Sequence, residues 1–103
     1  ALFSVLDGEF DNSYALSRPP GHHCLVAYPN GFCLLNNIAI SVEAAIKSSK
    51  IEKVAIVDWD VHHGNDTESI FYDRSDVLTI SIHQEKNYPL DNGNIKELVE
   101  AAA

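Results

Sequence analysis

The sequence predicts an α/β fold, a parallel sheet flanked by helices, on three observations. Segments with strand character alternate with segments of helical character. The run Val54-Ala55-Ile56-Val57 is apolar at every position, and the histidines gather just after the strand segments. Strand-helix alternation implies parallel pairing through crossovers. A strand with no polar alternation implies helices over both sheet faces. Ligands in such sheets collect beyond the carboxyl ends of the strands, so histidines placed there mark a site.

In chain order, residues 5–10 read as the end of a helix, with Gly8 as its stop. Residues 13–17 (Ser-Tyr-Ala-Leu-Ser) read as a short strand running into Arg18-Pro19-Pro20-Gly21, where two prolines forbid helix and ladder pairing alike. Over residues 34–48 the apolar positions Leu35, Ile38, Ala39, Val42 and Ile46 recur at helical spacing, with Glu43 and Lys47 outside. Residues 53–61 form the buried strand, residues 67–72 a short helix, and residues 77–82 another strand. Gly21-His22-His23, Asp58 to His63, and His83 follow the three strands in turn, which accounts for all five histidines.

The bulk properties exclude several classes of function. At 103 residues the chain is one modest domain at most, and 46% hydrophobic with 21% charged residues is ordinary for a globular protein. A net charge of −8, with seven scattered Lys and Arg, argues against a nucleic-acid surface. No apolar run approaches the roughly 18 residues that span a bilayer, and the start lacks the basic region of a signal peptide. Cys24 and Cys33 make no disulfide framework, so a reducing cytoplasm is expected. With no Met, and ends that read as cut elements (Glu100-Ala101-Ala102-Ala103 at the second), residues 1–103 are expected to be a single internal fragment of a longer protein.

The run Asp58-Trp59-Asp60-Val61-His62-His63 is the most chemically loaded. Alternation along a strand sets Asp58, Asp60 and His62 in one row, with Trp59 and Val61 on the opposite face. Two neighbouring buried carboxylates repel, and a cation resolves that cost. The oxygen-nitrogen row suits catalytic zinc, which takes three protein ligands and leaves a position open. His22 and His23, after a proline-stiffened turn, are not expected both to point into a core. A neutral imidazole beside such a metal suits general-base and then general-acid duty.

Arg18-Pro19-Pro20-Gly21-His22-His23, Gly31-Phe32-Cys33 with Asn36-Asn37, Asp58 to Asn65, and Ser81-Ile82-His83 occur in that order. Together they resemble the zinc-dependent histone deacetylase superfamily, most of all its class II and bacterial members, including acetylpolyamine and acetoin-utilisation-type deacetylases. The resemblance runs from about Ser13 to about Glu97. It implies the arginase/deacetylase-type fold and hydrolysis of acetyl-lysine or small acetylated amines. Asp60 and His62 would be two of three zinc ligands. His22 and His23 would be the tandem catalytic pair, with His23 the general base. Asp58 would orient His22, and Asn65, where some relatives have Asp, would orient His23. Asp58, Asp60, His62, Ser81 and Ile82 would hold a structural potassium ion. Phe32, beside Gly31, would wall the tunnel that admits the acyl-lysine stem, and Cys33 would be structural.

Two departures bear on activity. Asp66 stands where the family usually has glycine. A third zinc ligand (an Asp), a transition-state Tyr and a glycine-rich loop lie farther along in the family, and Tyr88 and Asp91 are too close in sequence to His83 to replace them. A deacetylase whose isolated segment is inactive is therefore expected, able to self-associate through exposed core. The other readings are a truncated, non-catalytic metal-binding or interaction domain, and a manganese-dependent ureohydrolase, against which the tandem Gly-His-His counts.

Overall fold

The computed structural model describes residues 1–89; Asp91 and the end at 100–103 lie outside them. The elements in order are helix α1 (Leu2–Leu6), helix α2 (Asn37–Lys47), strand β1 (Val54–Asp58), helix α3 (Asn65–Phe71) and strand β2 (Val77–Ser81). The strands pair in parallel, with Val54 opposite Val77 and Asp58 opposite Ser81. Helix α3 lies within the crossover between them, as parallel pairing requires. Helix α1 stops at Leu6, with Asp7 as its cap and Gly8 following.

Asn36 starts α2 because its side chain accepts a hydrogen bond from the Ala39 N–H at 3.0 Å, satisfying a donor that the first turn leaves open. The same amide donates to Thr67 Oγ1 on α3 at 3.0 Å. One buried side chain thus caps one helix and ties it to another. The core is Ala39, Val42, Phe71 and Val77, with Ile46, Val54, Ile56 and Ile70 packed against it. Arg74, just after α3, reaches Glu43 on α2 at 2.6 Å and Asp76 at 2.7 Å.

Several expectations need correcting. Residues 13–17 form no strand and join neither edge of the β1–β2 pair; Tyr14 and Leu16 are exposed. Helix α2 begins at Asn37, so Leu35 precedes it, and Ile38 is half exposed; the inward stripe is Ala39, Val42 and Ala45. Strand β1 is five residues long and only one face is covered: Val54 and Ile56 face the helices while Ala55 and Val57 are exposed. The continuous apolar run therefore does not have both its faces buried among the described residues.

Candidate active site

Strand β1 ends on Asp58, half-buried, and the backbone then leaves the sheet. Asp58 Oδ1 accepts from the Asp60 N–H at 3.0 Å, and Asp60 Oδ1 accepts from the His62 N–H at 2.8 Å. These are successive carboxylate-to-backbone turns, a local bonding pattern that competes with ladder formation. The expected row of Asp58, Asp60 and His62 is thus not a strand row. Two side-chain turns bring these residues together instead, and they leave Trp59 and Val61 exposed. The segment stays tied to the sheet through the Ile82 N–H to the Asp58 carbonyl (2.8 Å) and the Gln84 N–H to the Val61 carbonyl (3.0 Å).

His22 and His23 both turn inward, contrary to expectation, with ring centroids 4.0 Å apart. They reach different partners. His22 Nδ1 lies 2.8 Å from Asp58 Oδ2, and its Nε2 lies 3.9 Å from Asp60 Oδ1. The hydrogen bond to Asp58 raises the His22 pKa against the opposing effect of burial. Burial opposes ionisation of Asp58 too, but the bonds from His22 and from the Asp60 N–H outweigh it and hold that carboxyl below its ordinary range. His23 is buried and bonded to a neutral amide, Nδ1 to Asn65 Oδ1 at 2.8 Å. Desolvation lowers its pKa, the Asn65 bond offsetting part of the effect. One imidazole is therefore biased to hold a proton and its neighbour to lack one.

Glycine makes two of these approaches possible. A Cβ on Gly31 would lie 2.6 Å from the His23 ring, and one on Gly64 would overlap the Asp58 carboxylate. Gly31 and Phe32 both have positive φ (51° and 64°) in a tight turn closed by paired Asn30 and Cys33 backbone bonds. Positive φ at both central residues is the geometry of a type I′ turn. It holds Gly31 against His23 and projects Phe32, 94% exposed, to the rim.

A hollow of about 500 Å³ is lined by Pro20, His22, His23, Gly31, Phe32, Asp60, His62 and Tyr88. A larger apolar groove, about 680 Å³, runs along α2 and touches none of the histidines. Tyr88 also borders the hollow, its ring centroid 5.0 Å from that of His23 and 6.2 Å from that of His62. A loop with two bends can return a residue to the site, and spacing along the chain carries no sign of that.

The five histidines divide into two groups. His22, His23 and His62 face the hollow. His63 is buried with Glu68, Nε2 to Oε2 at 2.6 Å, and its ring lies 4.4 Å from that of His83. His83 Nδ1 in turn meets Ser81 Oγ at 2.8 Å. Asp66, Thr67 and Glu68, all buried, were not anticipated, because polar residues in a short helix ordinarily face water. Among the described residues no group of three or more His, Cys, Asp or Glu is arranged to hold a metal ion. Nor is any described helix long and apolar enough to cross a membrane.

The histone deacetylase domain model matches residues 1–103. The chain is 57% identical over 89 residues to a histone deacetylase-like amidohydrolase of Pseudomonas aeruginosa, covering 86% of this chain and 23% of that protein. It is 49% identical to a probable deacetylase of Archaeoglobus fulgidus (86% of this chain, 24% of that one) and 44% identical to histone deacetylase clr3 of Schizosaccharomyces pombe (86% and 14%). The chain thus spans a quarter or less of the curated relatives it matches. A crystal structure of the HDA15 HD domain superposes with a TM-score of 0.84 at 45% identity, covering 91% of this chain and 28% of that one. With a parallel strand pair, its crossover helix and this superposition, the fold is of the arginase/deacetylase type, and the chain belongs to the histone deacetylase family.

Proposed function

We propose that the protein carrying this chain is a zinc-dependent deacetylase that hydrolyses the amide of acetyl-lysine or of a small acetylated amine. The observation that supports it most is the opposed pair of histidines, His22 on a carboxylate and His23 on an amide, lining one hollow with Asp60 and His62. Asp60 Oδ1 and His62 Nδ1 lie 2.9 Å apart, both half-exposed, and supply the oxygen and nitrogen donors that zinc favours. They fit two of the three protein ligands of a catalytic site. Zinc, when bound, supplies a Lewis acid for the acyl carbonyl and for water.

The chain's own residues then divide the proton work. Asn65 Oδ1 accepts from His23 Nδ1–H, which leaves Nε2 with the lone pair. With its lowered pKa, His23 is ready to take the proton of attacking water and to return it to the departing amine. His22, whose pKa is raised by Asp58, retains its proton and sets positive charge beside the hollow, where the tetrahedral oxyanion develops. Phe32 and Gly31 border the entrance taken by the acyl-lysine stem. Asp58, Asp60, His62, Ser81 and Ile82 would hold a structural potassium ion at the strand ends, where Asp58 and Ser81 are register partners.

The decisive experiment is hydrolysis of acetyl-lysine peptide and of acetylated polyamine by the full-length protein and its His23→Ala variant. The variant is expected to lose about 10²- to 10⁴-fold in kcat, the usual contribution of a general base. Equal turnover by the two would remove His23 from that role. Residues 1–89 supply two zinc ligands where catalysis takes three, so residues 1–103 alone are expected to turn over little substrate.

A further inference from the structure

We propose that Asp66 is a positioning residue: by accepting a hydrogen bond from the Asn65 amide it fixes which end of that amide faces His23, and so which nitrogen of His23 carries the proton. An asparagine amide presents an acceptor at one end and donors at the other, and either end can meet an imidazole. With oxygen toward His23, Nδ1 must carry hydrogen and Nε2 is free to act as a base. With nitrogen toward His23, the tautomer reverses and the lone pair moves to Nδ1, away from any substrate.

Three facts of geometry converge on Asp66. Asn65 Nδ2 donates to Asp66 Oδ1 at 2.9 Å while Asn65 Oδ1 faces His23 Nδ1 at 2.8 Å, so the two bonds require the same amide orientation. The Asp66 N–H lies 3.3 Å from the carbonyl of His22, so the residue is bonded to the backbone of the histidine pair as well. Asp66 is 5% exposed, and its Oδ2 is buried with no hydrogen-bond partner among the described residues. Burying a carboxyl with one oxygen unsatisfied is costly, and the side-chain bond that Oδ1 makes is to Asn65. Desolvation raises the pKa of this carboxyl, with His22 and His63 opposing. In either protonation state one oxygen keeps an acceptor lone pair for the amide.

The inference rests on the assignment of His23 as the base, but its test does not. The full-length protein, with histidines labelled with ¹⁵N, reports the His23 tautomer from its ring nitrogen shifts at a pH where the imidazole is neutral. The parent is expected to hold the Nδ1–H form. Asp66→Gly and Asp66→Leu, which remove the acceptor, are expected to lower the ratio of Nδ1–H to Nε2–H roughly two- to tenfold, the equivalent of one hydrogen bond. Asp66→Asn, which keeps a side-chain carbonyl oxygen, is expected to hold the parent ratio. Leu retains bulk at the site should Gly loosen the fold. An unchanged ratio in a folded variant without the acceptor overturns the inference, as does a loss in Asp66→Asn as large as in Asp66→Leu. Full activity in His23→Ala would remove the base assignment and leave this lock standing.

Discussion

His22 and His23 are adjacent, equal in chemistry, and driven apart by what lies across from each. The Asp58 carboxylate raises the pKa of the first; burial beside the Asn65 amide lowers that of the second. For His22 the folded pKa lies above the unfolded value of 6.5, so its pairing with Asp58 stabilises the fold fully below that value and is lost as pH rises through the folded pKa. For Asp58 the folded pKa lies below 3.8, so its share is present above that value and is lost as pH falls through the folded pKa. His23 runs the other way, favouring the fold as pH rises, so the pair is best isolated by difference. The gap in urea midpoint between the parent and Asp58→Asn is expected to be widest between about pH 4 and 6.5 and to narrow on either side. A gap independent of pH would mean that the carboxylate does not set the charge of His22. Gly31→Ala is a steric test of the same site. The added methyl meets the His23 ring at a backbone φ of 51°, and a loss of about 1–3 kcal/mol on urea unfolding is expected, with the His23 resonances displaced.

At the scale of elements, the site is held by contacts between helices and strand ends. Asn36 caps α2 and crosses to Thr67 on α3, the helix that also carries Asn65 and Asp66. Asn36→Ala removes the cap and leaves Thr67 Oγ1 without that partner. It is expected to cost about 1–3 kcal/mol, from the cap and the exposed need of a buried hydroxyl together. Chemical denaturation measures the loss, and a value near zero would show that α3 is held by its apolar face alone. The two strands set the other half of the site, since their register puts Asp58 level with Ser81. That level is where the chain turns out of the sheet and the loop of Asp60 and His62 begins.

At the scale of the whole molecule, the core is small for the apolar surface the chain carries. Four buried residues anchor it, while Leu16, Val26, Leu34, Leu35, Trp59 and Ile82 are all more than 60% exposed. One face of β1 is likewise uncovered among the described residues. Exposed apolar side chains in this number favour association. Residues 1–103 prepared alone are therefore expected to sediment as concentration-dependent oligomers, and a single monomeric boundary at all concentrations would contradict that. Phe71→Ala, at the centre of the core, is expected to cost about 3–5 kcal/mol, a large part of what a small domain has in hand.

What the sequence determined by itself was whatever depends on local order: the parallel strand-helix-strand alternation, the helical character of α2, the prolines that keep residues 18–21 out of helix and ladder, and His62, His63 and His83 beyond the ends of β1 and β2. These follow from periodicity and residue chemistry within a few positions. The resemblance supplied in addition the expected pairing of His22 with Asp58 and of His23 with Asn65. Tertiary structure alone decided which face of β1 is covered and that the 13–17 segment joins no strand. It also decided that Tyr88 returns to the hollow, that His62 and His63 face different partners, and that Asp66 lies buried against the amide that holds His23. Those outcomes depend on how segments distant in sequence pack together, as Tyr88 does with His23, and no window of sequence contains them. The fold class was legible because local bonding imposes it; the division of labour within the site was not, because burial and distant partners impose that.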